Sequence, residues 1–101
     1  MAKILVVDDS ALTRRSTVAV VDAMGHVSIE ASNGAEALKL ISSEDLDCII
    51  LDLLMPKVTG ISVLEELGNR KDKTPVVVIT ADIQQTTRER CERLGVVAVL
   101  N

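Results

Sequence analysis

Asp8, Asp9 and Asp52 each stand where an apolar run ends, and Thr80 ends another. Lys3-Ile4-Leu5-Val6-Val7 leads into Asp8-Asp9, Cys48-Ile49-Ile50-Leu51 into Asp52, and Val76-Val77-Val78-Ile79 into Thr80. Aspartate is a poor strand residue, so its repeated placement at strand exits needs a chemical reason. In a doubly wound sheet, ligands bind beyond the carboxyl ends of the strands, near the point where strand order reverses. If the first and third strands are neighbours, three carboxylates converge on one small volume. Like charges at that spacing repel unless a cation offsets them. Mg²⁺ fits, because it takes oxygen ligands, keeps several waters and uses one or two carboxylates plus a phosphate. The pattern therefore points to Mg²⁺-assisted phosphoryl transfer, with cationic groups offsetting charge on the transferred group. A carboxylate can itself accept the group, giving an aspartyl phosphate. Taken singly, each aspartate also fits a helix cap or a solvated loop. Three together at strand exits weigh against that reading.

The strands that must carry these residues read as 3–8, 47–52 and 75–80, with another at 96–100 and a weaker one at about 26–31. Near-continuous runs of β-branched residues suit parallel strands covered on both faces. Helical spacing fills the gaps. Residues 11–24 align Leu12, Val18, Val21 and Met24, leave Arg14, Arg15 and Asp22 outside the stripe, and end before Gly25. Residues 34–43 align Ala35, Ala37, Leu38 and Ile41 behind an Asn33–Glu36 capping box. Residues 60–67 align Ile61, Leu64 and Leu67. Residues 83–94 align Ile83, Thr87, Cys91 and Leu94, with Asp82 and Gln85 at N-cap and N3 spacing and Gly95 beyond the end. The order βαβαβαβαβ predicts an α/β, doubly wound parallel sheet with right-handed crossovers. It forms one domain, 1–101, with no internal boundary or repeat.

Composition narrows the function. A chain of 101 residues, 48% hydrophobic and 26% charged, is a globular domain with a real core. Its net charge of −4 and lack of a basic stripe argue against nucleic-acid binding by this segment. Without a single Phe, Tyr or Trp, the core must be aliphatic, and no ring can stack on a flavin or base. Cys48 and Cys91 sit in apolar or helical patterns without metal-ligand spacing and read as buried free thiols of a reducing compartment. The N-terminal run is too short for a signal peptide, and no run reaches the ~20 apolar residues of a membrane span. The cytoplasm is the expected location.

Val6-Val7-Asp8-Asp9-Ser10, then Leu51-Asp52-Leu53-Leu54-Met55-Pro56 with Gly60, then Pro75-Val76-Val77-Val78-Ile79-Thr80-Ala81, together resemble the bacterial two-component response-regulator receiver family, chemotaxis regulators included. The resemblance runs the length of the chain. It implies a flavodoxin-like five-stranded sheet of order 2-1-3-4-5 and a phosphoryl group received on Asp52 from a histidine kinase. It further implies Mg²⁺ held by Asp9, Asp52 and the Leu54 backbone carbonyl, with Asp8 acting through metal-bound water. Thr80 would contact the phosphoryl oxygens and shift on activation, small Ala81 would keep the pocket open, and Met55-Pro56 and Gly60 would shape the loop after the acceptor. Two family features differ. The aromatic switch position of the fifth strand falls at Val99, and the essential Lys falls just after Asn101. The final helix is absent as well, so the receiver domain reads as C-terminally incomplete.

The implied partners are a sensor histidine kinase or phosphotransfer protein and a downstream output domain or target. Without its final helix, the chain is expected to leave one sheet face open, with Val96, Val97, Val99 and Leu100 on it, and to self-associate there. The expected chemistry is self-catalysed phosphoryl acceptance and hydrolysis only, with apolar Leu54 slowing the water. The alternative is a degenerate receiver acting as an unphosphorylated interaction module. A phosphohydrolase of related fold would carry Asp-x-Asp rather than Asp8-Asp9, and five scattered glycines make no dinucleotide fingerprint. Arg14 and Arg15 read as a solvated helix face, or as a contact for a kinase or phosphate. His26 has no ligand-spaced partner and reads as non-catalytic.

Overall fold

Strands that are apolar on both sides need hydrogen-bonded neighbours and cover above and below. The computed structural model describes residues 1–53, 60–80 and 84–100. Its elements run β1 (Lys3–Val7), α1 (Ala11–Ala23), β2 (Val27–Ala31), α2 (Gly34–Ser43), β3 (Cys48–Asp52), α3 (Gly60–Asn69), β4 (Val76–Ile79), α4 (Gln85–Arg93) and β5 (Ala98–Leu100). All pairings are parallel, in the order β2-β1-β3-β4-β5. This is the flavodoxin-like sheet expected. Its order reverses between β1 and β3, so a crevice opens at their carboxyl ends.

The helix ends follow local chemistry. Ser10 caps α1, its hydroxyl accepting the Thr13 N–H at 3.3 Å. Asn33 caps α2 by accepting the Glu36 N–H at 2.8 Å, while the Glu36 carboxylate reaches back to the Ser32 N–H at 3.2 Å. Gly25 and Gly95, at φ +82° and +86°, supply the left-handed residue that closes α1 and α4. Two boundaries differ from the expectation. Helix α3 continues to Asn69, and α4 begins at Gln85 after Gln84, with no side-chain cap. Gln85 is thus the first helical residue rather than N3, and Asp82 and Ile83 lie outside the described residues.

Strand alternation divides the core. Leu5, Val7, Ile49, Leu51, Val76 and Val78 project to one face and meet Ala37 and Ile41 of α2, Val63, Leu64 and Leu67 of α3, and Cys91 of α4. Ile4, Ile50 and Ile79 project to the other face. There, with Val20, Val21, Met24 and His26, they line an apolar groove of about 500 Å³ beside α1. Two expectations need correction. The α1 stripe is only partly buried: Val21 is inside, but Leu12 is 81% and Met24 68% exposed. Among the described residues, no second helix stands on this face to cover its flank. At β5, Val96 and Val99 pack against the closed core, and only Val97 and Leu100 are exposed. Strand β5 spans only Ala98–Leu100, so Val96 and Val97 precede it and do not share one strand face with Val99 and Leu100. Cys91 is fully buried as expected, but Cys48 is only half-buried, with burial pushing its thiol pKa up against the smaller lowering effect of a hydrogen bond with the Ile49 backbone. Among the described residues, no helix is long and apolar enough to cross a membrane.

Candidate functional site at the ends of β1 and β3

Register brings the acids together. Val7 of β1 pairs with Leu51 of β3, so the next residues, Asp8 and Asp52, leave the sheet side by side. One carboxylate oxygen from each of Asp8, Asp9 and Asp52 lies within 4.8 Å of the others. Asp8 is buried, Asp52 half-buried and Asp9 exposed, so the cluster is open to solvent on one side. The Asp8 N–H donates to the Ala31 carbonyl of β2 at 3.1 Å, and its Oδ1 accepts the Ser10 N–H at 2.9 Å. The same short segment therefore ends β1, places an acid and starts α1.

Two further residues shape the crevice. Thr80, buried directly after β4, donates its backbone N–H to the Leu100 carbonyl of β5 at 2.9 Å. Because Asp52 pairs with Ile79, Thr80 lies one residue beyond the partner of Asp52. Gly60 closes the site from below, its N–H bonded to the Leu53 carbonyl at 3.2 Å. A Cβ on Gly60 would stand 2.7 Å from the Asp52 carbonyl oxygen and 2.6 Å from the Leu53 Cα, which backbone does not tolerate. Glycine is needed here for close approach, not for an unusual φ.

The donor set consists of carboxylate oxygens carrying three like charges, and this fits Mg²⁺, a hard cation that prefers oxygen. Asp8, Asp9, Asp52 and Thr80 all lie at the strand ends where the sequence reading put them. Leu54, Met55, Pro56 and Ala81 fall outside the described residues. His26 takes no part, its Nδ1 accepting the Ala2 N–H at 2.9 Å. Arg14 departs from the solvated-face reading. Its side chain is 16% exposed, its Nη1 donates to the Asp8 carbonyl at 2.7 Å, and its Nε meets Glu30 at 2.9 Å. One turn beyond the N-cap Ser10, it is placed to fold back over the end of β1, a spacing that a hydrophobicity stripe does not reveal.

Comparison with known proteins agrees with this geometry. The profile of the response regulator receiver domain matches residues 4–101. The Regulator of RpoS from Escherichia coli K12 is 35% identical over 98 residues, covering 97% of this chain and 29% of that protein. A probable transcriptional regulator, ycf27, from Porphyra purpurea is 39% identical over 92 residues, covering 91% of this chain and 35% of that protein. This chain thus spans about a third of the length of such relatives. Among solved structures, the chemotaxis protein CheY4 of Vibrio cholerae superposes with a TM-score of 0.92 at 27% identity, covering 99% of this chain and 85% of that one. The response regulator TrrA of Thermotoga maritima, solved in complex with Mg²⁺-BeF, gives 0.87 at 30% identity with the same coverage.

Proposed function

Because this chain belongs to the response regulator receiver domain family, we propose that Asp52 is its phosphoryl acceptor in a two-component system. The convergence of Asp8, Asp9 and Asp52 at the switch point carries this reading. A carboxylate oxygen of Asp52 attacks the phosphorus of a phosphohistidine on a partner kinase or phosphotransfer protein. A P–O bond forms, the P–N bond breaks, and the departing imidazole takes up a proton. Later attack by water on phosphorus releases inorganic phosphate and restores the carboxylate. The chain is acceptor and catalyst of its own dephosphorylation, not an enzyme acting on a separate substrate.

Asp9 and Asp52 would hold Mg²⁺, joined on the family pattern by the Leu54 carbonyl, with Asp8 contributing through water. When bound, Mg²⁺ neutralises charge on the transferring group. Thr80 offers its hydroxyl to a phosphoryl oxygen, and its backbone bond to Leu100 carries a shift outward to β5. Val99 packs on the closed core in place of an aromatic, so the signal travels by backbone and packing rather than by a swinging ring. The readers of that signal are an output domain or target protein. The open face beside α1 makes a second copy of the 101-residue chain a further partner. The expected compartment is the cytoplasm.

The test uses a version extended through the family Lys and final helix, treated with a small phosphodonor. Asp52→Asn should abolish labelling, because an amide is no carboxylate nucleophile. Label that persists, or that maps to Ser10 or Thr80, overturns the assignment. An extended parent that binds partners but never takes label makes this a degenerate interaction module.

A further inference from the structure

We propose that Arg14 is a positioning residue for the carboxylate site, orienting the peptide that joins Asp8 to Asp9; this rests on the phosphoryl-acceptor reading above. The guanidinium reaches across three elements. Arg14 belongs to α1, its Nη1 donates to the Asp8 carbonyl just past β1, and its Nε is held by Glu30 of β2. At 2.7 Å, the bond to the carbonyl has the length of a charge-assisted contact. The peptide unit is planar, so fixing the Asp8 carbonyl fixes the direction in which Asp9 leaves it. Ala31 and Ser10 already restrain Asp8, through its N–H and its side chain. Arg14 grips the part of the residue that passes on to Asp9, the exposed and least confined acid of the three. Glu30 meanwhile offsets the guanidinium charge, so the role is geometric and leaves the acids negative for a cation. Lysine keeps the charge but not the planar fork that serves two acceptors.

The experiment measures Mg²⁺ affinity by calorimetric titration, and the spectrum of bound Mn²⁺ by electron paramagnetic resonance. Parent, Arg14→Gln, Arg14→Lys, Glu30→Gln and Asp9→Ala are compared in the extended chain, with circular dichroism confirming the fold. Partners that orient a ligand typically set metal affinity by a factor of ten or more. Arg14→Gln and Arg14→Lys should weaken Mg²⁺ about tenfold and broaden the Mn²⁺ spectrum. Glu30→Gln, which removes the ion pair but keeps an oxygen for Nε and spares the bond to the Asp8 carbonyl, should bind like the parent. A purely structural Arg14 would lower the melting temperatures of Arg14→Gln and Glu30→Gln alike and leave both affinities unchanged, and that result overturns the proposal. If Arg14→Gln does not fold, Arg14→Lys decides. A parent whose Mg²⁺ binding ignores Asp9→Ala overturns the acceptor reading itself, and this inference with it.

Discussion

The two faces of the sheet are built from the same kind of residue and end in different states. Leu51 is fully buried among residues of α2, α3 and α4, while its neighbour Ile50 points the opposite way into a groove flanked by α1. Both belong to one apolar run, and both pair with parallel neighbours. A parallel strand announces that it expects cover on both sides, but not which side receives it. Cover is a property of helices, and among the described residues three stand on one face against one on the other.

The sharpest way to break this comparison is to truncate the two neighbours. Leu51→Ala should cost about 2–5 kcal/mol, the usual penalty for a cavity in a closed core. Ile50→Ala should cost about 1 kcal/mol, because its side chain is only half removed from water. Urea denaturation of both variants reads the difference, and equal losses would show that the open face is as well packed as the closed one. Gly60→Ala should come next, at about 1–3 kcal/mol, since the added methyl overlaps the Asp52–Leu53 backbone. The same variant, in the extended chain, should accept phosphate more slowly than the parent, and an unchanged rate would separate Gly60 from the site. The smallest effect on stability belongs to the open face. Met24→Glu should shift the midpoint by no more than about 0.5 kcal/mol, yet turn a self-associating 101-residue chain into a monomer by sedimentation. A parent that is already monomeric at high concentration would show that the exposed Val20, Met24 and Leu12 do not recruit a second copy.

Much of this was legible in the residues. Strand composition, helix caps and glycine stops placed every described element to within a few positions, because those signals are local. The acid cluster was legible for a further reason. Aspartates at strand exits become neighbours once β1 lies beside β3, an order that the family resemblance implied and that alternation and handedness alone leave open. What escaped was non-local. The α1 stripe looked like an ordinary core stripe, but the exposure of Leu12 and Met24 depends on what else covers that face. Val96, Val97, Val99 and Leu100 are alike in type, yet two of them precede β5 and only Val97 and Leu100 end up exposed. Arg14 and Arg15 look alike in the sequence, and only the fold separates them, by burying Arg14 against the Asp8 carbonyl and Glu30. The start of α4 was misplaced because Asp82 is a better capping residue than Gln84, and propensity alone decided.

The bond from the Thr80 N–H to the Leu100 carbonyl also gives the edge of the sheet a clock. Strand β5 has three residues and a single neighbour, so it should be among the first parts of the sheet to open. When it lifts, the Thr80 amide loses its acceptor and becomes able to trade its hydrogen with solvent. That amide sits one position past the partner of Asp52. Its exchange rate therefore reads, in one number, how often the outermost strand peels away and how often the pocket beside Asp52 is left without its wall.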